Sequence, residues 1–235
     1  MDLEPKARSV PSTSHSARRA RSEAVEDYAK AIYSLQQRHG SVGTNALAAR
    51  LGVTPASVSS MVRKLDSLGL ARHTPYKGVA LTEAGEKVAL EVLRHHRLLE
   101  LFLAEKLGMP WDRVHDEAEI LEHALSEELE ERIAEQLGNP THDPHGDPIP
   151  TRDGHVESGA TVGLDSLPVG ARGCFVRVSD SDPEMLRYLA GRGIAPGDDF
   201  EVVERQPFDG PLHVRFGDDV HALGLRLARA MRAEV

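Results

Sequence analysis

The sequence predicts a mainly α-helical chain with small β parts: a winged helix-turn-helix, then a helical domain, then a small SH3-like β-barrel. Three observations carry this. Apolar residues recur at helical spacing, with short interruptions, from Val25 to Ile133. Inside that stretch two short helical segments flank Gly52 and lead into a hairpin-sized unit. From Leu164 onward the apolar period becomes that of a strand.

Residues 1–22 carry five basic and two acidic side chains and almost no bulky apolar residue, and read as a disordered basic arm. A first helix follows, with Val25, Tyr28, Ile32 and Leu35 on one face and a turn at Gly40. Thr44 opens a short helix that turns Leu47, Ala48 and Leu51 inward and stops at Gly52. Thr54 and Pro55 open the next, a capping residue followed by proline at the first helical position. It buries Val58, Met61, Val62 and Leu65 and ends near Gly69. Residues 70–81 form a hairpin around Pro75-Tyr76-Lys77-Gly78, and Thr82 begins a long helix. The winged helix-turn-helix so outlined spans 23–90.

Residues 83–137 read as three helices, with a break at Met109-Pro110, and 91–150 form a helical domain. Glycine and proline are dense in 138–160, so 151–163 is taken as linker. In 164–235 the segments 173–178, 200–204 and 212–216 alternate between turn signals, with one helix near Pro183–Ala190.

The net charge is −9, an unpromising total for a nucleic-acid partner. Its distribution changes that picture. Residues 91–150 hold fifteen acidic against five basic side chains, whereas 23–90 hold six acidic against eight basic. A local field governs contact with phosphates. The single cysteine, Cys174, excludes an intrachain disulfide and is expected as a small buried side chain. There is no run of eighteen apolar residues and no secretory apolar core, so a cytoplasmic protein without a membrane span is expected.

In a winged helix-turn-helix the second helix of the pair enters the major groove. Here its exposed face carries Thr54, Ala56, Ser57, Ser60, Arg63 and Lys64. Small residues at its N-terminal end allow close approach to base edges. Arg63, Lys64, Arg72 and Lys77 suit phosphates, which position the helix without reading sequence. The expected partner is double-stranded DNA.

The most informative stretch is His115-Asp-Glu-Ala-Glu119-Ile-Leu-Glu122-His123. Residues 115, 119, 122 and 123 share one helical face, and all four are potential ligands. His96 and Glu100, four apart, present a second such face, and Asp27 places an acid beside Tyr28 in the first helix. Clustered carboxylates repel one another unless a cation lies among them. The acidic run 127–131, without histidine, reads as a solvated face. A set of carboxylate and imidazole without sulfur suits hard divalent ions, Mn²⁺, Mg²⁺ or Fe²⁺, better than soft metals.

At these residues the chain resembles the diphtheria-toxin-repressor family of iron- and manganese-dependent regulators, its manganese-sensing MntR branch in particular. The resemblance covers roughly residues 22–235. It rests on Glu26-Asp27-Tyr28, His96-Arg-Leu-Leu-Glu100, the segment Val114–His123 and Asp143-Pro-His-Gly-Asp-Pro-Ile-Pro150. It implies a homodimeric repressor with a FeoA-like C-terminal barrel. It places one metal site at Asp27, Glu119, Glu122 and His123, and a second at His96, Glu100 and His115, completed by a barrel acid, for which Asp182 is favoured. Iron-type members have Met at the position of Asp27 and Cys at that of Glu119, so both departures point to manganese. Lys30 and Met185 stand where some members carry further ligands. Base contacts map to Thr54, Ala56 and Ser60. The expected function is Mn²⁺-dependent repression through a palindromic operator, probed against two alternatives. One is an iron-dependent regulator of the same family. The other is a metalloenzyme, since Glu119-x-x-Glu122-His123 lies one residue type from a zinc-protease signature. His145 and six other histidines are set aside as ordinary surface or turn residues, and Ile120, Leu125 and Leu129 as the dimer face.

Overall fold

The computed structural model describes residues 13–74, 77–157 and 159–235, which divide into two compact units meeting at Val92 and Leu93. The first unit holds α1 (Thr13–His39), α2 (Thr44–Leu51), α3 (Pro55–Ser67), β1 (Ala71–Thr74), β2 (Gly78–Leu81) and the start of α4 (Glu83–Leu107). Residues 13–22, expected as part of an irregular arm, belong to α1. Their Ala-Arg-rich sequence favours helix. The rest of that arm, and Pro75-Tyr76 of the hairpin turn, lie outside the described residues.

The core of this unit forms where the apolar period predicts it. Ile32 of α1, Leu47 of α2, and Val58 and Leu65 of α3 are fully buried. Gly52 ends α2 in a left-handed conformation (φ 64°), which turns the chain sharply into α3. The β1–β2 hairpin pairs in antiparallel register from Ala71↔Leu81 to Thr74↔Gly78. Val42 exchanges two backbone hydrogen bonds with Val79 (3.0 and 2.9 Å), anchoring the wing to the loop before α2.

The second unit begins within α4 and continues through α5 (Val114–Leu121), a 3₁₀ turn (Glu122–Ala124) and α6 (Glu127–Gln136). Then come β3 (Val162–Gly163), β4 (Arg172–Val178), α7 (Pro183–Ala190), β5 (Asp199–Arg205), β6 (Leu212–Phe216), β7 (Asp219–Leu223), α8 (Leu225–Ala230) and β8 (Met231–Glu234). The six strands form one antiparallel sheet in the order β3-β8-β4-β5-β6-β7. Register shifts in β4 and β5 mark bulges that bend the strands around the core. Phe175, Val202, Val214 and Met231 fill that core, with Leu186 and Leu189 of α7 packed onto it. The helical part has its own core around Leu98, Ala118 and Ile133. Leu125, expected on a dimer face, packs against this core instead. Cys174 is half-buried rather than buried.

The loop Asp143–Pro150 ties the two cores of this unit together. The Val178 amide donates to the His145 carbonyl at 2.9 Å. Trp111 stacks on the His145 ring, and its indole N–H donates to the Leu186 carbonyl at 3.2 Å. Gly146 has φ 85°, and a Cβ there would lie 1.9 Å from the Val176 carbonyl oxygen. Gly146→Ala is therefore expected to lower stability by at least about 2 kcal/mol, combining left-handed strain with a backbone clash. Gly138→Ala, with a similar φ of 77° and open space around it, isolates the strain. Denaturant unfolding of both variants measures the difference; equal losses would sink the clash argument.

Candidate metal centre and nucleic-acid face

On α3, Thr54 caps the helix. Its hydroxyl oxygen accepts from the Ser57 amide at 3.2 Å and lies 2.9 Å from the Ser57 hydroxyl. Thr54, Ala56, Ser57, Ser60 and Arg63 are exposed and Lys64 is half-buried. The side chains on this outer face are small at the N-terminal end and cationic further along, the order a groove-reading helix needs. Lys77 is exposed where the hairpin turn enters β2, and its carbonyl accepts the Ser41 hydroxyl. Asp27, the acid expected to take part in metal binding, is half-buried on α1 of this unit.

The other expected ligands lie in the second unit, where the helical spacing behaves differently from expectation. α5 ends at Leu121, and Glu122 and His123 follow in the 3₁₀ turn. The tighter winding swings Glu122 fully inward, to 1% exposure. Buried His96 on α4 is the hub. Its Nδ1 lies 2.6 Å from Glu122 Oε2, and its Nε2 lies 3.1 Å from Glu100 Oε1 and 3.1 Å from His115 Nδ1. The two ligand sets that the resemblance separates thus meet on one imidazole. Glu119 Oε1 is 3.7 Å from His115 Nε2 and 4.0 Å from His96 Nδ1, and His123 Nε2 is 3.6 Å from Glu122 Oε1.

Asp182 is not in this cluster. It caps α7, accepting from the Glu184 amide at 3.0 Å, and pairs with Arg226 at 2.7 Å. Asp180, two residues earlier, faces the cluster, with Oδ2 3.1 Å from His115 Nδ1. His96, Glu100, His115 and Asp180 each direct a ligand atom to within 4.8 Å of the others.

A neighbouring group escaped the sequence reading. Glu100, Asp143 and His145 also bring ligand atoms within 4.8 Å of one another, so Glu100 serves both groups. His145 is completely buried, not a surface residue. Its Nε2 donates to the Trp111 carbonyl at 2.9 Å. Its Nδ1 is buried without a hydrogen-bond partner, 3.9 Å from Glu100 Oε2. A metal-ligating histidine has this arrangement, with the far nitrogen held by a carbonyl and the near one open. The motif Asp143–Pro150 carried the signal; only its folding against α4 reveals which side chains it delivers.

Electrostatics agree with a cation site. Hydrogen bonding to Asp180, then to Glu100, holds His115 up at about 10 against the opposing effect of burial. Burial pushes Asp180 and Glu100 upward, but His115 outweighs it for Asp180, and His96 and His115 outweigh it for Glu100, so both carboxyls stay low. Burial first, then the charges of Glu100 and Asp147, push Asp143 well above the usual carboxylate range. Without a metal the cluster is thus balanced by protons. A ligand imidazole must be neutral, so a metal held by His115 would displace its proton. Below pH 10, metal affinity is expected to rise on the order of tenfold per pH unit from this one group. Calorimetry in buffers of different ionisation enthalpy should show proton release; none would contradict the charge state of His115.

Residues 21–79 match the model of the iron-dependent repressor N-terminal DNA-binding domain, 82–151 that of the iron-dependent repressor metal-binding and dimerisation domain, and 162–235 the FeoA domain. The iron-dependent repressor IdeR of Mycobacterium tuberculosis is 32% identical over 227 residues, spanning 90% of this chain and 97% of that protein. The chain belongs to the diphtheria-toxin-repressor (DtxR) family. Its members are metal-dependent transcriptional repressors rather than enzymes, so the protease alternative falls away. Another DtxR-family relative, the diphtheria toxin repressor of Corynebacterium efficiens, is 32% identical across 90% of this chain and 95% of its own. Among solved structures, a manganese-dependent transcriptional repressor in complex with manganese superposes with TM-score 0.83 at 42% identity, covering 89% of this chain and 98% of that one. IdeR of T. acidophilum gives 0.73 at 30% identity, covering 97% and 100%. Iron and manganese regulators thus both stand among the relatives. Among the described residues no helix is long and apolar enough to cross a membrane.

Proposed function

We propose that this DtxR-family repressor responds to Mn²⁺, with Fe²⁺ as the alternative. The observation that carries the reading is the donor set. Carboxylate and imidazole converge around His96 and Glu100 with no sulfur among them, and the chain's one cysteine lies on β4, outside these groups. Hard ligands of this kind suit manganese, and iron-type members place Met and Cys where this chain has Asp27 and Glu119.

Glu119, Glu122, His123 and Asp27 would form one site and His96, Glu100, His115 and Asp180 the other, with Asp143 and His145 beside it. Bound there, a divalent ion supplies the positive charge that so many carboxylates otherwise lack. Asp27 belongs to the DNA-binding unit and its partners to the other; the support for including it is the family pattern Glu26-Asp27-Tyr28. A ligand set divided this way makes occupancy favour the DNA-competent arrangement.

The chain is proposed to act as a cytoplasmic homodimer. Ile120, Leu121 and Leu129 leave apolar side chains exposed by 71, 40 and 49% on the helical part, within the region matched to the dimerisation model. Two recognition helices related by a two-fold axis read a palindromic operator, through Thr54, Ala56, Ser57 and Ser60 at base edges and Arg63, Lys64 and Lys77 at phosphates. The test is a mobility shift on the protein's own upstream DNA with chelator, Mn²⁺, anaerobic Fe²⁺ and Zn²⁺ at one salt concentration. A shift that requires Mn²⁺ supports the proposal. A shift with Fe²⁺ alone overturns the choice of metal, and tight binding in chelator overturns the sensing role of the cluster.

A further inference from the structure

The acidic run 127–131 reads in sequence as solvated, yet one of its members turns inward. Glu127, Glu128 and Glu131 are exposed, whereas Glu130 is 6% exposed. Its Oε1 lies 2.5 Å from Arg94 Nε, and its Oε2 lies 3.0 Å from His95 Nε2. Arg94 in turn donates to the Pro150 carbonyl at 2.8 Å. His95 is itself buried, and its Nδ1 donates to the Glu122 backbone carbonyl at 3.2 Å. Consecutive histidines of α4 therefore grip one residue: His96 meets the Glu122 carboxylate and His95 the Glu122 main chain.

We propose that His95 and Glu130 are positioning residues that couple the metal centre to the dimer face on α6. The inference rests on the repressor reading given above. Glu122 sits in a three-residue 3₁₀ turn, and both its carboxylate and its carbonyl are held by α4. When its carboxylate turns from His96 toward a metal, the carbonyl that His95 holds must shift with it. His95 passes the shift to Glu130, and Glu130 is a fixed part of α6, next to exposed Leu129. Arg94 keeps the carboxylate from swinging away. The link is short, buried and hydrogen-bonded at each joint, so a movement at one end is not absorbed by solvent. The partner on the α6 face is a second copy of this chain.

The test measures the dimer dissociation constant of the full chain by sedimentation, in chelator and in saturating Mn²⁺, together with Mn²⁺ affinity by calorimetry. The ratio of the two dimer constants is the coupling. For the wild type it is expected to be on the order of tenfold or more. His95→Asn keeps a donor for the Glu122 carbonyl but no longer reaches Glu130, and should bring the ratio close to one while Mn²⁺ still binds. Glu130→Gln, which keeps an acceptor for His95, should retain most of the ratio. Should His95→Asn fail to fold, Glu130→Asp withdraws the acceptor by one methylene and tests the same joint. A variant that weakens the dimer equally with and without Mn²⁺ shows a scaffold role only and overturns the proposal. So does a wild-type dimer indifferent to Mn²⁺, which leaves metal-dependent DNA binding standing. A wild-type chain that binds no Mn²⁺ fails the repressor reading itself.

Discussion

Glu122→Gln is expected to lower Mn²⁺ affinity by at least about 100-fold and to abolish metal-dependent DNA binding at Mn²⁺ concentrations that saturate the wild type. The substitution is nearly isosteric, so the 3₁₀ turn and its packing remain. What it removes is one negative charge at a position with 1% exposure, 2.6 Å from His96 and 3.6 Å from His123. A neutral amide oxygen is a far weaker ligand for a hard cation than a carboxylate. The metal-free fold should suffer little, because the change also removes a like charge from a crowded cluster. Calorimetric titration, thermal unfolding in chelator and a mobility shift together measure this. Retained Mn²⁺ affinity in the variant would mean that Glu122 is a structural partner of His96 and not a ligand.

The double substitution Ile120→Glu with Leu129→Glu should shift the chain to monomer, weakening the dimer on the order of a thousandfold, or about 4 kcal/mol. Both side chains are exposed within one chain, at 71 and 49%, so the folded monomer loses little. In a two-fold interface each residue appears twice, and four carboxylates would be buried without partners. DNA affinity should fall with the dimer, since two half-sites are no longer read together. Metal affinity at the centre of each monomer should stay within a few-fold. Sedimentation with and without Mn²⁺ checks the first claim, and an unchanged dimer would place the interface elsewhere.

Much of the fold was legible because its signals are local. Helical periodicity marked α1 to α6, the Thr54-Pro55 cap marked the start of α3, and a helix was expected near Pro183–Ala190, where α7 lies. The short elements β7, α8 and β8 were not foreseen. Their few residues carry no distinct period; pairing with β6 and β4 decides β7 and β8, and the burial of Leu227 and Ala228 decides α8. The site divides along the same line. Residues on one helical face, such as His96 with Glu100 and His115 with Glu119, could be grouped from spacing alone. Asp180 could not be told from Asp182 because both stand in one loop, and the choice turned on Arg226 and the cap of α7, which occupy Asp182. His145 and Glu130 lay in segments read as loop and solvated face, and their burial depends on what folds over them.

By itself the sequence determined the order of domains, the helix-turn-helix and the residue types available to the candidate site, because residue type and helical spacing are properties of a short stretch of chain. Tertiary structure alone decided which nitrogen of His96 faces which carboxylate, that Asp180 completes the cluster, and that His95 reaches across to Glu130. Only His96–Glu100 among them is local, at four positions; His96–Glu122, His95–Glu130 and His115–Asp180 join residues 26, 35 and 65 positions apart. Such contacts exist only after the long-range packing that buries Leu98, Ala118 and Ile133 has brought the elements together.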